Sequence, residues 1–264
     1  MSFIEFTDVR KEFHSQRFGL SVAVANFTLA LSKGEFFCLL GPSGCGKTTV
    51  LALLAGFDQP SSGTISLNDQ VVVSSSRDRG VVFQGDDSLF PWLTARENVE
   101  FGLRMSGMNR KDRSEKAMYY LEMVNLSSQG NKYPTELSGG MKQRIQIARA
   151  LANEPEMLLM DEPFGALDAQ TREVMQQELL NIWQSTGTSV FFITHDIDES
   201  LALATRIGVM SAGPGGTLRE VIEAPKANDK VRSHRDYIEK YDYIHAMIRE
   251  EVARSRISAS LEVT

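Results

Sequence analysis

Short runs of β-branched and aromatic residues alternate with segments of helical periodicity along most of this chain. That alternation is the pattern of a mostly parallel α/β sheet. Strands are predicted over residues 3–9, 22–31, 35–40, 64–67, 80–83, 157–160, 189–193 and 206–210. The early ones, before Gly41, are expected to form a small antiparallel layer. Between Thr94 and Asn153 the pattern turns almost wholly helical. Thr94-Ala95-Arg96-Glu97 reads as a capping box, with Glu97 able to reach back to the Thr94 amide. Residues 110–125 read as a charged-faced helix burying Ala117, Tyr120, Leu121 and Val124. The arrangement predicts a helical subdomain inserted into an α/β core. Beyond Glu223 a polar linker, residues 225–230, precedes a helix with Tyr237, Tyr241, Ile244, Ile248 and Val252 on one face. That stripe is expected to cover the core or a subunit contact.

Composition narrows the class. The 264 residues, 42% of them hydrophobic, suffice for one large α/β domain or a core with a smaller insert. A net charge of −6 argues against a general nucleic-acid coat. The only cysteines, Cys38 and Cys45, lie beside or inside a glycine-rich segment and make no disulfide framework, which fits a reducing cytosol. The N-terminus lacks a secretory pattern, and no apolar run approaches the roughly 20 residues of a spanning helix. Any service to a membrane is expected from outside the bilayer.

Two motifs carry the chemistry. Gly41-Pro42-Ser43-Gly44-Cys45-Gly46-Lys47-Thr48 matches the P-loop pattern between a predicted strand and the helical segment 49–55. Its glycines let backbone N–H groups converge on phosphate oxygens at a helix N-terminus. Lys47 would reach the β- and γ-phosphates, and the Thr48 hydroxyl would ligate Mg²⁺. The second motif, Glu156-Met157-Leu158-Leu159-Met160-Asp161-Glu162, delivers two carboxylates to the C-terminal edge of a sheet. There Asp161 would hold the Mg²⁺ shell through water, and Glu162 would polarise an attacking water. Cys45, at the mouth of a helix, is read as a small filler, although that position could lower its thiol pKa. The remaining histidines, His14, His234 and His245, show no metal-ligand spacing.

Neither motif separates an ATPase from a nucleotide kinase or a GTPase. Leu137-Ser138-Gly139-Gly140-Met141-Lys142-Gln143-Arg144 does, for here the chain resembles the ABC ATPase family, whose signature begins Leu-Ser-Gly-Gly. A serine and two glycines at a helix start suit a γ-phosphate offered from elsewhere. The resemblance then runs over nearly the whole chain. Gln84 matches the family's Q-loop glutamine, which touches the metal and senses the membrane partner. Gly165-Ala166-Leu167-Asp168 matches the D-loop that crosses to the other subunit. His195 matches the switch histidine that contacts the γ-phosphate, with Asp196 and Glu199 pairing at a helix start to fix its loop. Phe13, expected in a loop beside His14, sits where the family places an aromatic that stacks on adenine. Met141 stands where many members have glutamine. With the segments 90–99 and 161–172, it resembles the branch serving nitrate, taurine and aliphatic sulfonate importers.

The resemblance implies a P-loop NTPase (RecA-like) core with an antiparallel β layer, an inserted α-helical subdomain and a C-terminal helix. The ATPase domain would be residues 1–225, with core 1–91 and 154–225, helical subdomain about 92–153, and linker plus amphipathic helix at 226–264. ATP and Mg²⁺ would be the cofactors. The chain's own ATP contacts would be Phe13, the P-loop and Thr49, with Ser138, Gly139, Gly140 and Asp168 coming from a partner subunit. Glu162, His195, Gln84 and Lys47 would be catalytic, and Thr48, Gln84 and Asp161 would serve the metal. Partners would be a second copy or a related ATPase subunit, integral membrane permeases and, indirectly, an external solute-binding protein. The segment 90–96 is a sensible place to grip a permease loop. No nucleic acid is expected, because the chain has one cassette, no long coiled-coil insertion and an acidic balance. A non-catalytic sensor would have lost Lys47, Glu162 or His195. The expected location is the cytoplasmic face of the inner membrane, peripherally attached.

Overall fold

Residues 2–15, 19–85, 88–226 and 234–261 are described by a computed structural model. Most of the predicted linker, residues 227–230, falls outside the described residues. In chain order the first half contains β1 (Ile4–Ser15), β2 (Gly19–Leu31), β3 (Phe36–Leu40), α1 (Lys47–Ala55), β4 (Ser62–Leu67), β5 (Gln70–Val71), β6 (Arg79–Val82), α2 (Ala95–Met105) and α3 (Arg110–Met123). The second contains α4 (Gly139–Leu151), β7 (Met157–Asp161), α5 (Ala169–Thr186), β8 (Ser189–Thr194), α6 (Ile197–Leu203), β9 (Arg206–Met210), β10 (Leu218–Glu223) and α7 (Arg235–Leu261). These elements form two units, Met1–Ser76 with Ser189–Thr264, and Arg77–Thr188.

In the first unit β3 lies between β8 and β9, parallel to both. A parallel strand is covered on each face, and accordingly all five residues of β3 and all six of β8 are buried. Strand β10 adds antiparallel to β9. The sequence pattern of β10, Leu-Arg-Glu-Val-Ile-Glu, carries three charges and did not announce a strand. A separate antiparallel layer runs in the order β2-β1-β4-β5. The expectation for this layer needs one correction: β1 and β2 belong to it, whereas β3, also before Gly41, does not. An all-apolar β3 has no solvent-facing side and so joins the buried parallel sheet, while β4 and β5 complete the layer. Four aromatic rings tie layer to sheet. Phe6 meets Phe27 edge-on at 5.1 Å and Phe191 at 6.3 Å, and Phe191 stacks on Phe37 at 5.6 Å.

The second unit holds the parallel pair β6–β7 and helices α2, α3, α4 and α5. The Thr94–Glu97 capping box is formed in both directions and starts α2. Helix α3 buries Ala117, Tyr120 and Leu121, and Val124 is buried just beyond its end. Among the described residues no helix is long and apolar enough to cross a membrane.

Candidate active site

Strand β3 ends at Leu40, whose neighbours in register are Thr194 on β8 and Val209 on β9. The chain therefore leaves the sheet at Gly41 and, one strand away, at His195, on the same edge. The loop that follows is packed tightly from below. A Cβ on Gly41 would lie 2.9 Å from the Cys45 Sγ and 3.1 Å from the Met210 Cβ. Gly46 starts α1 with φ +97°, and a Cβ there would lie 2.5 Å from the Ala23 carbonyl of β2. Gly44, at φ +80°, faces open space, so conformation rather than room explains the glycine there.

Lys47 is 5% exposed, and its ammonium donates to the Gly41 carbonyl at 2.7 Å and the Pro42 carbonyl at 3.0 Å. No carboxylate pairs with it among the described residues. A buried cation solvated only by the carbonyls of the loop it closes is a charge still short of its counter-ion. The loop thus fits a polyphosphate, whose oxygens would complete that ammonium at a helix start that no side chain caps. Thr48 is exposed and Thr49 partly so. Cys45 is fully buried, which suits a filler better than a reactive thiolate.

Phe13 lies on β1, not in a loop, and is 44% exposed with the Lys11 ammonium 5.0 Å from its ring centre. Its partner in register is Ser21, two residues before the Ala23 that touches Gly46. The pairing sets β1 beside the part of β2 that backs the glycine-rich loop. His195 is exposed in a turn closed by three side chains. Thr194 Oγ1 donates to Glu199 at 2.6 Å and accepts from the Asp196 amide at 3.0 Å, while Asp196 caps α6 by accepting from the Glu199 amide.

In the second unit β6 and β7 end together, with Val82 beside Met160. Phe83-Gln84 and Asp161-Glu162 therefore emerge side by side. A Cβ on Gly165 would meet the Glu162 carbonyl at 3.5 Å and the Gln84 amide nitrogen at 3.8 Å, so both residues flank one glycine. Glu162 has φ +42°, a left-handed conformation rarely adopted by a glutamate. Such strain is retained where the surroundings over-determine it, commonly at functional sites. No group of three His, Cys, Asp or Glu among the described residues could hold a metal by itself. The donor set fits Mg²⁺, which takes one or two protein oxygens and completes its shell with water and phosphate.

Ser138 caps α4, accepting from the Met141 amide at 3.4 Å. Asp168 caps α5, accepting from the Thr171 amide at 3.0 Å and its hydroxyl at 2.7 Å, and these bonds hold its carboxyl below the usual range. The two caps share a surface: a Cβ on Gly140 would lie 2.9 Å from the Thr171 Cγ2, and one on Gly139 3.9 Å from the Leu167 Cδ2.

Several residues that matter here carry no motif. On α4, Gln146 donates to the Gly85 carbonyl at 2.7 Å and Arg149 to the Ser88 carbonyl at 2.9 Å. Burial lowers the pKa of Arg149. One helix thus begins at the signature and, two to three turns on, grips the segment after Gln84. Asn98 is fully buried, and its side chain bonds Phe90, Leu93 and Thr94, which shapes the loop that leaves Trp92 70% exposed. The polar residues Gln143, Gln146 and Arg149, spaced three apart on one helix, were the available sequence signal.

Comparison with known proteins places this geometry in context. The ABC transporter family profile matches residues 24–165. The nitrate import ATP-binding protein NrtD of Synechocystis is 46% identical over 93% of this chain and 95% of that protein. The taurine import ATP-binding protein TauB of Burkholderia pseudomallei is 49% identical over 76% of this chain and 77% of that protein. Among solved structures, a dimeric post-hydrolysis state of the ATP-binding cassette MJ0796 bound to ADP and Pi superposes with a TM-score of 0.73 at 32% identity, covering 84% of this chain and 99% of that one.

Proposed function

The chain belongs to the ABC transporter family, and on that premise we propose that it powers an importer whose solute is a small oxyanion of the nitrate and sulfonate kind. It is an ATP-binding, ATP-hydrolysing subunit that works as a dimer with membrane permeases. The proposed location is the cytoplasmic face of the inner membrane. The residues 92–153 are proposed as the helical subdomain within a core formed by 1–91 and 154–225, a reading supported by the succession α2, α3, α4.

The observation that carries the ATPase reading is Lys47, buried and, among the described residues, bonded to the carbonyls of its own loop. In the proposed mechanism its ammonium turns from Gly41 and Pro42 to the β- and γ-phosphates, neutralising charge that grows as the phosphoryl group departs. Residues 41–49 wrap the phosphates with backbone N–H groups, and Phe13 stacks on the base. Mg²⁺, when bound, would supply charge neutralisation at the phosphate oxygens, held by Thr48, Gln84 and, through water, Asp161. Glu162 takes the proton of the attacking water, and His195 donates to the γ-phosphate. Ser138, Gly139, Gly140 and Asp168 serve the nucleotide of the partner subunit.

The test of the base is Glu162→Gln, which keeps shape and removes basicity. With ATP and Mg²⁺ this variant is expected to hydrolyse at least 10²-fold more slowly and to accumulate as an ATP-bound dimer by size-exclusion chromatography. A variant that stays monomeric and turns over at the wild-type rate refutes the assignment. For the solute, the chain reconstituted with its permease and binding protein should show ATPase activity stimulated by nitrate or a sulfonate. Stimulation by neither overturns the oxyanion reading.

A further inference from the structure

Helix α7 carries Tyr237, Ile244 and Glu251 at seven-residue intervals, and they are buried at 4%, 0% and 6% exposure. Seven residues are close to two turns, so the three form one stripe about 21 Å long. An apolar centre is ordinary on a packed helix. The polar ends are the unusual part, because each buried polar group must find a partner.

At one end the Tyr237 hydroxyl donates to Asp198 Oδ1 at 2.7 Å. Asp198 lies on α6, a helix of seven residues that is too short to be stable alone. The start of α6 is the turn containing His195, closed by Thr194, Asp196 and Glu199. Tyr237 therefore ties α7 to the short helix on which the orientation of His195 depends.

At the other end Glu251 Oε2 accepts from the Ala212 amide at 3.2 Å, and Oε1 accepts from Arg219 at 2.8 Å and Arg254 at 3.2 Å. Arg219 also donates to the Met247 carbonyl and to Glu250. Ala212 opens the turn between β9 and β10, which Ser211 and Thr217 close through two 2.9 Å bonds. That turn is the floor of the phosphate loop. A Cβ on Gly216 would lie 2.0 Å from the Cys45 carbonyl oxygen, so the two backbones are in direct contact.

We infer that Tyr237 and Glu251 are positioning residues for ATP hydrolysis, α7 being a strut that holds the His195 turn at one end and the floor of the phosphate loop at the other. The inference rests on the roles proposed above for Lys47 and His195. Its consequence is a division of labour. The contact of His195 with the γ-phosphate gains strength as charge develops, so loosening α6 lowers kcat. The phosphate loop holds ATP before and during the reaction, so loosening its floor raises the KM for ATP.

The experiment is steady-state hydrolysis by the full-length chain in Tyr237→Phe, Glu251→Gln and the control Tyr243→Phe. Tyr243 bonds Glu220 from an exposed position on the same helix. Losing one hydrogen bond at a positioning contact corresponds to roughly three- to tenfold. Tyr237→Phe should lower kcat by about that factor with the KM within about twofold of wild type, and Glu251→Gln should raise the KM by a similar factor with kcat nearly unchanged. Tyr243→Phe should alter neither. In a His195→Ala background Tyr237→Phe should have no further effect on kcat, since the two changes remove one interaction. Values of kcat and KM that stay at wild type, or kcat falling in both variants only in proportion to a smaller folded fraction, would overturn the inference and leave α7 as packing. If His195→Ala and Lys47→Ala themselves leave hydrolysis intact, the site assignment fails and this inference with it. If those two lower hydrolysis strongly but measurably while the α7 variants do nothing, the inference alone fails.

Discussion

The starts of α1 and α4 are both glycine-rich, and both suit an anion, yet they are built in opposite ways. At α1 no side chain caps the helix, Gly46 is left-handed, and the loop is backed by Ala23, Met210 and Gly216. At α4 Ser138 is extended, caps the Met141 amide, and is exposed together with Gly139. The first start brings its own cation, Lys47. The second closes its first turn with the Lys142 amide on the Ser138 carbonyl, and Ser138 and Gly139 open outward. A loop sealed underneath and supplied with charge is suited to hold a ligand by itself. A loop with one weak cap and free space is suited to complete a ligand presented by another molecule, which supports the assignment of Ser138 to the partner's nucleotide.

Five substitutions test that contrast, and the largest effect belongs to Lys47. Lys47→Ala should lower ATP turnover on the order of 10²–10³-fold, read as steady-state phosphate release. More than half the activity remaining would remove the charge from the α1 side of the comparison. Ser138→Arg comes next. It should abolish dimer-dependent hydrolysis while the monomer binds a fluorescent ATP analogue within about twofold of wild type. An affinity loss as severe as that of Lys47→Ala would mean that the signature serves its own P-loop.

A matched glycine pair follows. Gly46→Ala places a Cβ 2.5 Å from the Ala23 carbonyl at φ +97° and should weaken monomer affinity on the order of tenfold. Gly139→Ala has 3.9 Å to its nearest neighbour and should leave that affinity unchanged. Equal losses in equilibrium titrations of the two would erase the distinction between a sealed and an open loop. The smallest effect is expected of Ser138→Ala, which loses only the cap: about 1 kcal/mol of stability, or ~2–4 °C in Tm by calorimetry. A drop much larger than this would mean that Ser138 is built into its own unit more firmly than its single 3.4 Å bond suggests.

The strand–loop–helix setting of the P-loop, the acidic end of β7 and the caps at Thr94 and Asp196 could all be read before any coordinates. Each depends on neighbours within a few positions, where periodicity and capping chemistry act. Other features could not be read in this way. Strand β10 mixes charges and aliphatics without strict alternation and is a strand because β9 offers it an edge. Phe13 belongs to a strand because β1 continues past its bulges to pair with β2 up to Ser15 and Gly19. The C-terminal face was expected to include Tyr241, Ile248 and Val252. Those three are half-buried, whereas the fully buried stripe is Tyr237 and Ile244, also expected, with Met247 and Glu251, and a glutamate in such a stripe contradicts the hydrophobic pattern.

By itself, then, the sequence determined where the glycine-rich loop, its lysine and the acidic pair stand between strand and helix. Glycine, lysine and the acidic pair act through backbone conformation and charge, which short spacing encodes. Tertiary structure alone decided what stands behind those loops. Gly216 lies under Cys45, Gln146 under Gly85 and Glu251 under Ala212, at separations of 171, 61 and 39 residues. Contacts across such distances depend on which strands become neighbours in a sheet, and no local periodicity carries that information. A buried polar group such as Glu251 shows the same dependence. Beside its sequence neighbour Arg254, its burial is tolerated because folding brings Arg219 and the Ala212 amide to it, partners that nothing near position 251 in the sequence announces.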